Sequence, residues 1–202
     1  RRVLFRSDQL AALSTTQLRG LTTDQLNALT AEVLNVLDVS KASVTQIAGL
    51  NTTAFAALSD TQMTTLTAPQ IAGLSAEQIG SVTSTEIQAF TTTQLGALTG
   101  TQLGGLTVAA LEFFSTDQVS ALSSGQVQGL TTDQLNEISV DLLDALDLSA
   151  FSNAQISGLT TTSVANLTVT QVAALTATQV PALSVDQLAA LDVTEFGNFN
   201  AD

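Results

Sequence analysis

The sequence predicts an all-α solenoid: a coil of short, capped helical turns, one for each eight-residue repeat. Three observations predict it. An octad of the form T-x-x-Q-L-x-x-L recurs 22 times, with last residues running from Leu13 to Leu191. Its fifth and eighth positions are apolar in all 22 copies, so each unit offers two core residues that one turn cannot bury alone. Most copies also open with a helix-start signal. Self-similarity at a fixed period outranks local propensity as a guide to architecture.

Two regular alternatives fail on spacing. Apolar residues separated by three and then five positions do not alternate, so the octad is not a half-buried strand. A single unbroken helix fails because eight residues turn about 800°, leaving a drift of about 80° per unit. Its apolar stripe would wind around the helix and no single neighbour could cover it. A β-solenoid stays open as the alternative, since Thr and Val are common.

The octad reads position by position. Leaving out the first, incomplete unit, Ser or Thr at position 1, with Asn51 as the one exception, is an N-cap whose side-chain oxygen accepts from a backbone N–H two or three residues on. Gln at position 4, present in 16 units, completes a capping box by accepting from the cap's own N–H. The Leu before the cap and the Leu after the Gln form a hydrophobic staple. Asp24, Glu77, Asp117, Asp133 and Asp186 fall in first turns, where the helix dipole favours negative charge. Ala or Gly at position 7 allows neighbouring turns to approach closely, or the chain to leave in a left-handed conformation. One turn is unstable by itself because nucleation is costly. Stability must come from stacking the Leu pairs of neighbouring units, as in other solenoids.

The two prolines test this reading. Pro69 sits at position 3, in a first turn that needs no N–H. Pro181 sits at position 6, where a long helix would lose a bond and clash, so the helix must be only a turn or so long.

Two units carry five extra residues: "DVSKASVTQIAGL" from Asp38 and "DLSAFSNAQISGL" from Asp147. They lie 109 residues apart, and residues 22–50 match residues 131–159 at 15 of 29 positions, so a longer duplication overlies the octads. The inserts, near 38–42 and 147–151, are expected to add a turn and bend the coil's path. A third "LDV" at 191–193 reads as the start of another insert. We read residues 8–202 as a single octapeptide-repeat solenoid. Residues 1–7, "RRVLFRS", break the pattern and match the in-frame translation of a common sequencing-library adapter, so they are excluded from fold reasoning. The chain does not begin with Met and reads as a fragment of a longer protein.

Composition removes whole classes of function. Cys and His are absent, which removes disulfides, thiolate chemistry, the commonest metal ligand and the usual general base. The formal net charge is −13, and outside residues 1–7 only Arg19 and Lys41 oppose 18 acidic residues. Such a surface repels nucleic acid and anionic membranes. No run approaches the 18 or so apolar residues of a membrane span.

The tandem "LTTDQLNAL", "LTTTQLGAL" and "LTGTQLGGL" tracts resemble repeat tracts in very large bacterial secreted or surface proteins, often labelled adhesin-like or haem-utilisation proteins. The resemblance covers residues 8–191. It implies an extracellular or cell-surface location and a structural, adhesive or display role. No haem-ligating role carries over, because His, Cys and Tyr are absent and Met63 is a position-5 core residue.

Candidate chemistry is sparse. Without a base, no nucleophilic triad assembles, so no catalytic residue and no enzyme activity is expected. "TGTQLGGL" at 99–106 has three Gly but no following Lys, so it is not a phosphate loop. No cofactor is expected. Asp141, Asp144 and Asp147 recur every third residue, which on a helix places them near one face and makes them weak candidates for calcium. Read plainly, they are a first-turn residue, a solvated residue and a cap. Thr runs at 91–93 and 160–162 raise an ice-binding array, but position 2 varies too much to give matched rows. Phe113, at a position normally Ala or Gly, and Phe151, in an insert, are the candidates for a binding patch.

The expected function is therefore a non-enzymatic spacer or display segment. Its expected partners are other segments of the parent protein, with an extracellular protein or surface ligand as the further expectation. The alternative is a protein- or ligand-binding solenoid that uses the insert regions, and a calcium- or ice-binding array is the minor one.

Overall fold

A computed structural model describes residues 7–191. Residues 1–6, which hold nearly all of the adapter-like segment, and 192–202, which hold most of the third "LDV" and Phe196, lie outside the described residues. Among the described residues are 21 α-helices of four to six residues, three 3-10 turns and no strand. The protein is an all-α solenoid, as the octad predicts.

Each helix begins where the sequence places its cap. Thr22 takes extended dihedrals (φ −79°, ψ 158°) before the helix Thr23–Asn27. Its Oγ1 accepts from the Gln25 N–H at 3.2 Å, and Gln25 Oε1 accepts from the Thr22 N–H at 2.8 Å. The same reciprocal box recurs through octads such as 43–50, 91–98, 131–138 and 184–191. One such cap contributes about 1 kcal/mol. Pro69 lies in the first turn of Ala68–Ala72, and Pro181 lies in the 3-10 turn Val180–Ala182, which needs no helical bond at that residue.

The exits differ from one of the two expectations. Among the described residues no residue has positive φ, glycine or otherwise. Ala28 instead ends its helix at φ −88°, ψ −4°, and the position-8 Leu that follows such an exit can turn extended, as Leu98 does at φ −63°, ψ 135°. The small residue at position 7 therefore serves close approach alone. A Cβ on Gly73 would come within 2.6 Å of Val44, and one on Gly158 within 2.4 Å of Thr132. In both cases position 7 lies over position 2 of the octad three sides earlier.

The described chain divides between Leu98 and Thr99 into two compact units. In the first, Ile47, Phe55, Met63, Ile71, Ile79 and Ile87, all at position 5, are at most 2% exposed. In the second, Leu103, Leu135, Ile156 and Val164 are equally buried. Position 8 closes each core with residues such as Leu58, Leu66, Leu130 and Leu159.

Candidate functional site

The most organised polar feature is a ladder of buried glutamines. Capping uses only the Oε1 of each position-4 Gln. Along the inner coils the Nε2 also reaches back and donates to two backbone carbonyls. Gln94 donates to Met63 O at 2.9 Å and Leu66 O at 3.2 Å, which lie 31 and 28 residues earlier. Gln134 does the same to Leu103 O and Leu106 O, and Gln187 to Ile156 O and Leu159 O. The acceptors are positions 5 and 8 of the octad four sides back. These carbonyls lie at a helix end, where intrahelical partners run out. One side chain thus satisfies the start of one helix and the end of another. Gln70, Gln78 and Gln187 are at most 3% exposed, so a missing partner there would cost about 1–3 kcal/mol per polar group.

The inserts belong to this ladder. Val39–Lys41 and Leu148–Ala150 each form a 3-10 turn. Gln70 donates to Val39 O and Ala42 O, and Gln179 to Leu148 O and Phe151 O, again 31 and 28 residues back. Each five-residue stretch is therefore a complete side of the coil, shortened by three residues. Across it the rung spacing falls to 28 and 25, as in Gln46 to Leu18 and Leu21 and Gln155 to Val127 and Leu130. Sequence reading took these stretches as additions to an octad. The structure makes them sides in their own right, and the count of four sides per rung is kept.

Three octads that lack Gln at position 4 are capped from below. Ala54 stands in for Gln in octad 51–58, and the Asn51 N–H donates instead to Asn27 Oδ1 at 2.9 Å. Ser163 stands in for it in octad 160–167, and the Thr160 N–H donates to Asn136 Oδ1 at 2.8 Å. Leu142 stands in for it in octad 139–146, and the Ser139 N–H donates to Glu112 Oε1 at 2.6 Å. In each case the rescuing side chain is at position 6, four sides earlier. Asn27 and Asn136 also donate through Nδ2 to Gly49 O and Gly158 O. Nothing local in the sequence signals this pairing, because its partners are 24 to 27 residues apart.

The candidate residues fall as follows. Phe151 is 3% exposed and closes the core at the end of the short side, so it forms no surface patch. Phe113 is half-buried after the helix Val108–Leu111. Asp141 lies in the first turn of Val140–Ala145. Asp144 sits on the same helix, and partial burial, with the charge of Asp141, pushes its carboxyl above the ordinary value. Asp147 caps the 3-10 turn, accepting from the Ser149 N–H at 3.0 Å and the Ser149 hydroxyl at 2.6 Å. Among the described residues, no three carboxylates converge in a metal-binding group.

Beside the first short side a shallow polar cleft opens, lined by Asn35, Asp38, Ser59, Thr61 and Thr65 among others. Asp38 accepts from the Ser40 N–H and hydroxyl and pairs with Lys41 Nζ at 3.1 Å. The Ser40 hydroxyl, together with Lys41, holds its carboxyl below the ordinary range against the opposing effect of burial.

Comparison with known families matches the ALTTAQ repeat to residues 5–39 and 101–132. The chain is a tandem-repeat protein, and the matched stretches include octads of both compact units. No curated protein matches it. Among the described residues no helix is long and apolar enough to cross a membrane.

Proposed function

We propose that the chain is a non-enzymatic structural module, a spacer or display segment of a large secreted or cell-surface bacterial protein. The observation that carries this reading is the ladder. Its donors are the repeated Gln side chains and its acceptors are backbone carbonyls, so the most regular chemistry of the repeat holds coil to coil. Resemblance to the repeat tracts of giant surface proteins supports the location and the bacterial source. An adhesive role would then belong to the parent protein as a whole.

A second reading, a binding solenoid, has one observation in its favour: the polar cleft beside Asp38. Binding of the purified chain to bacterial and host cells, and to extracellular proteins, separates the two. A spacer gives no saturable binding. Saturable binding that is lost on changing Thr61 and Thr65 to Val would overturn the spacer and place the site in the cleft.

A further inference from the structure

One rung inside the first compact unit is chemically inverted. The octads on either side of 83–90 hold ordinary rungs. Gln78 Nε2 donates to Ile47 O at 3.0 Å and Leu50 O at 2.9 Å, and Gln94 Nε2 donates to Met63 O and Leu66 O. Between them position 4 is Glu86, only 6% exposed. Its Oε2 accepts from the Thr83 N–H at 2.8 Å and from the Thr83 hydroxyl at 2.7 Å, as the Oε1 of a capping Gln does. Oε1 is thereby left in the place of the amide nitrogen. The register of 31 and 28 residues turns it toward the carbonyls of Phe55 and Leu58, which are themselves buried. No side chain donates to either carbonyl, and Glu86 Oε1 accepts no hydrogen bond. Three electron-rich oxygens converge where both neighbouring rungs have an NH2 group.

Such a group repels itself, and burial raises the cost because little water is at hand to screen it. The described residues supply no cation of their own. Arg19 and Lys41 are their only basic side chains; Arg19 Nε donates to Lys41 O, and Lys41 pairs with Asp38. Among the described residues no fully enclosed side-chain oxygen lacks a partner, so Glu86 Oε1 keeps contact with solvent and an ion can reach it. We propose that Glu86 Oε1 and the carbonyl oxygens of Phe55 and Leu58 bind a monovalent metal cation, sodium or potassium. Carboxylate and carbonyl oxygens are hard ligands of the kind that hold such ions. One carboxylate brings one negative charge, so a monovalent ion leaves the buried group neutral. Calcium would leave it charged and takes about six to eight oxygens. The bound ion does for this rung what the amide does for its neighbours: it ties the start of one helix to the end of another, four sides back. The stability of the first unit then depends on the salt around it, which its role as a structural module does not require.

Thermal melting of the 202-residue chain at neutral pH tests this, in sodium, potassium or tetramethylammonium chloride at equal ionic strength. Tetramethylammonium screens surface charge as the metal ions do but is too bulky to enter between the three oxygens. At about 0.2 M salt the chain is expected to melt about 2–4 °C higher in sodium or potassium than in tetramethylammonium. Glu86→Gln restores the amide, so it is expected to abolish that difference and to melt above the unchanged chain in tetramethylammonium. Glu77→Gln removes an exposed carboxylate from the same unit and is expected to keep the difference. Equal melting of the unchanged chain in all three salts, a difference that survives Glu86→Gln, or one that is lost in Glu77→Gln, would overturn the proposal.

Discussion

The two short sides began as the same sequence and now hold the same carbonyl with different chemistry. In the first compact unit, Arg19 Nε donates to Lys41 O at 3.1 Å. In the second, Gln128 Nε2 donates to Ala150 O at 3.1 Å, 109 residues along at both ends. The turn itself is conserved between the copies, with Asp38 and Asp147 each accepting from a Ser two residues on. What differs is charge. Lys41 pairs with Asp38, whereas the second copy has Ala150 at that position. Asn35 accepts from the Ser59 N–H, whereas its counterpart is Asp144, whose carboxyl is pushed up by burial. The comparison separates what the coil requires from what it tolerates. A donor must reach the carbonyl, and its charge is free to vary.

The largest effects should be shared by the copies. Gln46→Leu and Gln155→Leu each remove the rung that crosses a short side and orphan two carbonyls and a cap N–H. Each is expected to cost about 3 kcal/mol by urea denaturation. A cost confined to one copy would break the equivalence of the two sides. Glu86 is the natural control. It caps Thr83 as Gln does but has no hydrogen to donate as a carboxylate, and register sets it opposite the Phe55 and Leu58 carbonyls. Glu86→Gln should therefore stabilise the first unit by about 1–2 kcal/mol.

A smaller effect belongs to the second unit alone, where glycines replace side chains at the coil contact. A Cβ on Gly129 would lie 2.2 Å from Gly100 Cα. Gly129→Ala is expected to cost about 1–3 kcal/mol through overpacking. By contrast Gly96, in the first unit, meets nothing within 4 Å, so Gly96→Ala should gain about 0.5–1 kcal/mol. Thermal melts of the two variants distinguish a steric need for glycine from a conformational one.

The smallest effects distinguish the copies by pH. Asp38 has a lowered folded pKa, so its stabilising contribution is present above the ordinary 3.8 and is lost as pH falls through the depressed value. Asp144 has a raised folded pKa, so its ionisation penalises the fold above 3.8, and the penalty is relieved as pH falls through the raised value. Asp38→Asn should destabilise at pH 7 and keep that cost down to 3.8. Asp144→Asn should stabilise at pH 7, with a gain that shrinks as pH approaches 3.8. Both carboxyls are largely solvated, so each change should stay within about 0.5 kcal/mol. Parallel pH curves for the two variants would contradict the assignment.

The local half of this architecture is legible in the octad. Thr22, Gln25 and Leu26 announce a helix start, and Pro181 announces that the helix is short. The other half depends on what the coil stacks against. Gln134 reads as a capping residue because its Oε1 partner is three residues away; its Nε2 partners are 31 and 28 residues away, and no octad encodes the angle at its corners. Phe151 reads as an insert residue because the short side carries no Gln, and only five residues, to mark it as a side. Gly73 reads two ways, and only the neighbour at Val44 decides between them.

One consequence of the ladder concerns inheritance. Its acceptors are main-chain carbonyls, which every residue type carries. A Gln therefore bonds whichever unit lies four sides below, whatever its sequence. Recombination between near-identical octads in the gene can add or delete whole units, and each Gln simply acquires a new neighbour below. Tract length is then free to drift while the coil persists. The exceptions are Asn27, Glu112 and Asn136, each tied to one particular octad. Loss of a single unit in between would leave that octad's cap without its donor's partner, so these three stretches should be the least variable in length.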